Sequence, residues 1–183
     1  MKQYPAKKIR NIVISGHGGT GKTSLAEAML FLAKATDRLG KVLEGNTVCD
    51  FDPEEIKRKA SISTSIAPLE WKGNKVNLID VPGLFDFVGG VSEGFRAAEC
   101  ALITISGKSG VNVGTEKAYA AAKQQDIATL FFVNKLDSES ADFYKVFEGL
   151  KSAFGPSVCP IVVPYVEENK VVCYKKATKR QWL

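Results

Sequence analysis

Hydrophobic runs bounded by glycine, proline and aspartate alternate along this chain with stretches of helical periodicity, a rhythm that belongs to βαβ units and a largely parallel sheet. Residues 9–15 form an apolar run that reads as a buried strand. Residues 22–34 follow with Leu25, Met29, Leu30 and Leu32 near helical spacing among good helix formers. Residues 65–71 and 75–80 are two strand-like runs around Lys72-Gly73-Asn74, a tight turn, so they should pair antiparallel at one sheet edge. The runs 101–106, 129–134 and 158–164 are apolar on both faces, as strands covered by helices on each side must be. The stretches 92–99, 113–125 and 141–154 carry helical patterns. The expected architecture is α/β in three layers, α/β/α, around a six-stranded, mostly parallel sheet with one antiparallel edge strand. Residues 36–60 break the rhythm. Gly40, Gly45, Pro53 and the dense charges from Asp50 to Lys59 predict a mobile polar segment with at most short helix, and long loops in compact domains are usually functional.

Composition narrows the class. The chain has 183 residues, 45% hydrophobic and 25% charged, which fits one globular domain. No apolar run approaches the ~18 residues of a membrane span, and the start MKQYPAKKIR lacks the apolar core of a signal peptide, so a cytoplasmic protein without a membrane partner is expected. The net charge of +5 is terminal in origin: Lys2, Lys7, Lys8, Arg10, Lys175, Lys176, Lys179 and Arg180 account for eight positive charges, and residues 11–174 alone carry −3. Solvated ends explain that pattern, and no direct sequence-specific nucleic-acid binding is expected. Cys49, Cys100, Cys159 and Cys173 are far apart and His17 is the single histidine, which argues against a zinc site. Cys100 and Cys159 adjoin apolar runs and are expected as small core hydrophobes in a reducing compartment.

Chemistry enters between the first strand and the first helix. Gly16-His17-Gly18-Gly19-Thr20-Gly21-Lys22-Thr23 fits G-x-x-x-x-G-K-[ST] in the strand–helix context that the motif needs, and a chance match in this length is about one in a hundred or less. Glycines let backbone N–H groups turn inward around phosphate oxygens, and the helix N-terminus adds its positive dipole end. Lys22 can reach the β and γ phosphates and the Thr23 hydroxyl can ligate Mg²⁺. His17 is expected to pack the loop, because side chains there point away from the phosphates that the backbone holds. Asp80-Val81-Pro82-Gly83 ends a strand, where Asp80 could hold Mg²⁺ through water and the Gly83 N–H could meet a γ-phosphate. By itself D-x-x-G arises by chance in about half of such chains, so position alone gives it weight. Asn134-Lys135-Leu136-Asp137 follows another strand at its carboxyl end, where α/β sheets bind ligands. A buried Asp137 carboxylate would accept two hydrogen bonds from the guanine N1–H and N2–H₂ edge, which adenine cannot supply. The fold class is then that of P-loop NTPases, with GTP/GDP and Mg²⁺ as cofactors; in a P-loop ATPase or kinase, the alternative, residues 134–137 are incidental.

Together with Ser61 in Arg58-Lys59-Ala60-Ser61-Ile62 and the stretch Leu84-Phe85-Asp86-Phe87-Val88, these motifs make residues 9–166 resemble the N-terminal GTPase domain of bacterial elongation factor G. The resemblance implies a translational GTPase that, when whole, acts on the ribosome and couples GTP binding and hydrolysis to translocation. Ribosome-protection and release-type GTPases share the motif set, and a nucleotide-sensing module with little hydrolysis is a further alternative. By position, the resemblance implies residues 16–23 and Asp80, Val81, Pro82, Gly83 and Leu84 on the phosphates, and Thr23, Ser61 and Asp80 around Mg²⁺. It also implies Lys22, Ser61 and Gly83 in catalysis, and Asn134, Lys135, Leu136 and Asp137 on guanine. Segments 36–64 and 83–92 would be the switches that the γ-phosphate orders. The chain departs from the family's usual pattern in three places: Gly19 stands for an Asp, Lys59-Ala60-Ser61 for Gly-Ile-Thr, and Leu84 for the histidine that positions or activates the attacking water. Leucine has no donor, acceptor or titratable group, so a diverged paralogue is expected. Ser152-Ala153 lies in a helical pattern and is not read as a guanine-binding element. The expected domain map is a GTP-binding domain over 1–174, ending near an inserted subdomain, and a basic tail over 175–183. A fragment is expected, whose sheet exposes an apolar face, giving low stability or self-association.

Overall fold

β1 (Ile9–Gly16) is the middle of a five-stranded sheet in the order β2 (Ser65–Trp71), β3 (Asn74–Asp80), β1, β4 (Cys100–Ser106), β5 (Ala128–Asn134). The computed structural model describes residues 2–167 and 170–176. β1 runs parallel to β3 and to β4, with Ile12 opposite both Leu78 and Cys100. β2 runs antiparallel to β3, and the chain reverses through Lys72 (φ 47°) and Gly73 (φ 77°). Two successive left-handed residues give the turn whose twist matches that of a hairpin. By contact the chain forms two units, Met1–Ile105 with Asn112–Phe132, and Ser106–Val111 with Val133–Leu183.

Within the first unit, alternation along the strands sorts the core, because successive side chains face opposite ways. Val13, Ile79, Ala101 and Ile103 line one face with Phe95 of α3 (Val88–Ala97) and Ala118 and Ala122 of α4 (Val113–Gln124). Ile14, Leu78 and Leu102 line the other with Cys49 and with Ala26 and Leu30 of α1 (Lys22–Leu32). The three layers are those expected, and each large apolar side chain so buried contributes about 1.5–3 kcal/mol. α3 approaches the sheet closely because Gly94 lacks a Cβ, which would meet Val81 and come 3.2 Å from Val13. Leu130 and Phe132 on β5 are exposed, so this strand is not covered on both faces as its composition suggested.

The segment 36–60 holds a 3-10 turn at Val42–Glu44 and the six-residue α2 (Pro53–Arg58), in line with its polar pattern. A capping box starts α2: Asp52 accepts the Glu54 N–H (2.8 Å) and Glu55 reaches back to the Asp52 N–H (3.3 Å). The helix ends on Lys59 in the left-handed region, at φ 54°.

In the second unit α5 (Phe143–Phe154) is capped by Asp142, which accepts the Lys145 N–H (3.0 Å), and buries Val146, Phe147 and Leu150. The expected sixth strand at 158–164 does not join the main sheet, which has five strands. Instead β6 (Val162–Glu167) pairs with β7 (Lys170–Lys176) in a separate antiparallel pair. Pro160 and Pro164 explain the difference, since a proline has no N–H for an interior ladder. Without that strand Cys159, expected in the core, is exposed. Of the expected basic tail, Lys175 and Lys176 close β7, and residues 177–183 lie outside the described residues.

Candidate functional site

The turn from β1 into α1 depends on Gly16 (φ 138°), Gly19 (76°) and Gly21 (93°). At Gly16 a Cβ would strike the Thr104 carbonyl and come 2.9 Å from Thr104 Oγ1. Thr20 pins the loop from within, its hydroxyl donating to the His17 carbonyl (2.8 Å) and lying 2.7 Å from the Thr104 hydroxyl. Lys22 is buried and its ammonium donates to the His17 carbonyl (3.2 Å). Burial holds its pKa below the usual lysine value, against the pull of Asp80 and Asp50. His17 packs on the start of α4, so close that a Cβ on Gly114 would come 2.7 Å from its Cα. That is the packing part expected of it.

Asp80 closes β3, and buried Val81 and Pro82 carry the chain to Gly83. A Cβ on Gly83 would meet the Lys22 ammonium and come 2.9 Å from the Gly18 nitrogen, while Leu84 Cδ2 is 3.2 Å from where a Gly18 Cβ would be. Leu84 remains 42% exposed. Gly18, Lys22, Gly83 and Leu84 therefore converge.

Beside them runs a chain of oxygens. Thr23 Oγ1–H donates to Asp80 Oδ2 (2.7 Å), Thr23 Oγ1 is 3.2 Å from Ser61 Oγ, and Ser61 Oγ–H donates to Asp50 Oδ1 (2.7 Å). Asp80 is 1% and Asp50 4% exposed, and their remaining oxygens, Asp80 Oδ1 and Asp50 Oδ2, are buried without a hydrogen-bond partner among the described residues. An unpaired buried carboxylate oxygen costs about 1–3 kcal/mol or more. Burial accordingly pushes the Asp80 carboxyl up to about 7 and raises that of Asp50. Four hard oxygen donors with two orphaned carboxylate atoms fit a divalent cation of the Mg²⁺ kind. Buried Cys49 lies in the same neighbourhood, and burial followed by the charges of Asp80, Glu27, Asp50 and Glu55 raises its thiol pKa.

The motifs mark Thr23, Ser61 and Asp80 but carry no sign of Asp50, Glu27 and Glu55. Asp50 and Glu55 belong to a charge-dense stretch that reads as solvated, and no spacing marks them. Only burial distinguishes them.

In the second unit the Asn134 carbonyl accepts the Gly107 N–H (2.7 Å), and its side-chain oxygen accepts the Lys135 N–H (2.8 Å). Lys135 takes a left-handed turn (φ 58°) and Leu136 packs on Gly107, where a Cβ would come 2.8 Å from Leu136 Cδ2. Asp137 is exposed, where the argument for guanine selectivity supposed burial.

Residues 7–181 match the family described as the Elongation factor Tu GTP binding domain. The chain belongs to that family. It is 41% identical over 156 residues to the Elongation factor G-like protein of Mycobacterium tuberculosis, covering 85% of this chain and 22% of that protein. It is 38% identical over 165 residues to the mitochondrial ribosome-releasing factor 2 of Culex quinquefasciatus, covering 90% and 22%. Elongation factor G of Granulibacter bethesdensis is 34% identical over 164 residues, covering 90% and 24%. A crystal structure of a Thermus thermophilus protein has TM-score 0.88 and 39% identity, covering 92% of this chain and 25% of that one. The chain thus spans about a quarter of the length of these relatives. The likeness to elongation factor G read from the motifs and the α/β architecture read from the hydrophobic rhythm are both borne out, with five strands in the sheet in place of six.

Proposed function

We propose that this chain is the Mg²⁺-dependent, guanine-nucleotide-binding GTPase domain of an elongation factor G-like translational GTPase, coupling GTP binding and hydrolysis to work on the ribosome when whole. The reading is carried by the meeting of loop 16–23, Gly83 and the oxygen chain through Thr23, Ser61, Asp80 and Asp50. Backbone N–H groups of residues 16–23 hold phosphate oxygens, and Lys22 exchanges the His17 carbonyl for the β and γ oxygens. Thr23, Ser61 and Asp80 would hold Mg²⁺, which when bound neutralises charge on the transferring phosphoryl group. Asp50 orients the Ser61 hydroxyl. The Gly83 N–H meets the γ-phosphate, and with Lys22 and Ser61 it forms the catalytic set. Asn134, Lys135, Leu136 and Asp137 take the base, whose binding would cover Asp137. Segments 36–64 and 83–92 respond to the γ-phosphate, and the domain extends over residues 1–174. Among the described residues no helix is long and apolar enough to cross a membrane, and the likeness to bacterial elongation factor G supports a cytoplasmic place for a ribosomal role.

A second reading has Leu84 behind it: a nucleotide-sensing module that turns over slowly, because an apolar side chain lies beside Gly18 where the family carries a water-positioning histidine. A rate that rises many-fold on adding ribosomes excludes that module.

Titration calorimetry with GDP and with ADP in Mg²⁺ buffer tests the main reading. Micromolar or tighter GDP binding without ADP heat is expected. Equal binding of ADP would favour an ATPase or kinase, and no heat from either would reject the site.

A further inference from the structure

Glu55 is buried in α2 with 1% of its surface exposed. Its Oε1 accepts the N–H groups of Ile62 (2.8 Å) and Ser63 (3.0 Å), and its Oε2 accepts that of Asp52 (3.3 Å). Its main-chain carbonyl accepts the N–H groups of Lys59 and Ala60, the latter at 3.2 Å. The chain on both sides of Ser61 therefore closes around one residue. The ion pairs among the described residues, Lys2–Glu70, Lys41–Glu44, Arg58–Glu54 and Lys151–Glu148, leave Glu55 without a cation. A buried carboxylate so placed depends on the N–H groups it accepts. The Ser61 hydroxyl, meanwhile, is held from the other side by Asp50 and Thr23.

We propose that Glu55 is a positioning residue for Ser61: it fixes the backbone of residues 60–63 so that the Ser61 hydroxyl meets Thr23 and Asp50 where the divalent cation is taken up. This rests on the reading of Thr23, Ser61 and Asp80 as the cation's ligands. Binding of a nucleoside triphosphate with its cation is thereby coupled to the intactness of α2, whose Glu55 lies six residues before Ser61. Glu54 of the same helix offers a control, because its carboxylate is half-exposed and pairs with Arg58 (2.6 Å) on the helix surface.

The test measures, in the 183-residue chain, the Mg²⁺ concentration that half-saturates binding of a fluorescent non-hydrolysable GTP analogue and of fluorescent GDP. Glu55→Ala should raise that concentration at least about tenfold for the GTP analogue, the effect of losing even one hydrogen bond to a charged group, and leave GDP unchanged. Glu55→Gln should fall between Glu55→Ala and the parent, because its one carbonyl oxygen can keep the Ile62 and Ser63 N–H groups while its N–H₂ meets the Asp52 N–H, donor against donor. Glu54→Gln should leave the value unchanged. No change in Glu55→Ala, an equal loss for GDP, or an equal loss in Glu54→Gln overturns the proposal. If Glu55→Ala does not fold, hydrogen exchange of the unsubstituted chain decides: the Ile62 and Ser63 amides should gain protection when Mg²⁺ and the GTP analogue are added, and equal exchange overturns it. Ser61→Ala separates the two ideas. If it leaves the Mg²⁺ requirement unchanged the reading of the site fails, and if it raises the requirement while Glu55→Ala does not, only the role of Glu55 fails.

Discussion

Asp80→Asn keeps the shape of a buried side chain and removes its charge, and the two effects should pull stability and binding in opposite directions. The Asp80 carboxyl titrates near 7 against an ordinary 3.8, chiefly because burial disfavours its charge, with the Thr23 hydrogen bond and Lys22 offsetting part of that. An acid whose pKa is raised by folding gives up its proton first in the unfolded chain. Its contribution to stability is therefore present below about pH 4, falls as pH climbs to about 7, and is level beyond. Three pKa units correspond to about 4 kcal/mol. Asparagine has no such proton, and its Oδ1 still accepts from Thr23. Its amide N–H₂, however, replaces the orphaned oxygen and adds an unpaired donor costing about 1–3 kcal/mol. The net expectation for the nucleotide-free, Mg²⁺-free chain at pH 8 is a gain of about 1–3 kcal/mol over the parent, with the parent-minus-variant difference shrinking or reversing at pH 5. Urea denaturation at the two pH values reads this, and calorimetry on the same variant should show weakened Mg²⁺-GDP binding. A variant less stable than the parent at pH 8, or a difference that does not change with pH, would refute the reasoning.

Lys59→Gly removes a left-handed lysine from the end of α2 and should stabilise by about 1 kcal/mol, or about 2–4 °C in thermal melting for a chain of this size. An unchanged Tm would show that the backbone there relaxes freely. Gly83→Ala places a methyl against Lys22 and the Gly18 backbone and should weaken GDP binding by about 1–3 kcal/mol while the circular dichroism spectrum is kept; unchanged affinity would contradict the close approach. Leu84→His should raise ribosome-stimulated GTP turnover by about a hundredfold if the missing histidine limits the rate, and a flat rate would place the limit elsewhere.

The strands inside the sheet were legible because a strand covered on both faces has little choice but to be apolar, as β4 is. The run at 158–164 misled for the same reason, since its valines and isoleucine outweighed two prolines that a central ladder cannot hold. At the site, glycine, lysine and threonine in loop 16–23 stand out because phosphate binding, the role proposed for them, dictates both type and spacing. The supporting carboxylates do not. Along Asp50-Phe51 the usual order of burial is inverted, with the aspartate hidden and the phenylalanine 72% exposed, and a one-letter pattern has no means of showing which acid in a charged stretch faces inward. Lys59 is a partial exception: the family's glycine at that place is the residue a left-handed helix end favours, so the departure seen in the sequence has a backbone meaning that only φ reveals.

Cys49 gives this fold a timer. Its thiol is hidden, and its ionised form, the one that reacts with alkylating agents, would stand among Asp80, Glu27, Asp50 and Glu55. A reagent thus finds neither access nor nucleophile until the surrounding segment opens. When closing outruns the chemistry, the rate of labelling at Cys49 measures how often the open form occurs. Exposed Cys159 reacts independently of that event and standardises the reagent. Added nucleotide and Mg²⁺ should slow the first clock and leave the second running, so the opening of residues 47–64 can be followed by mass spectrometry on the native cysteines.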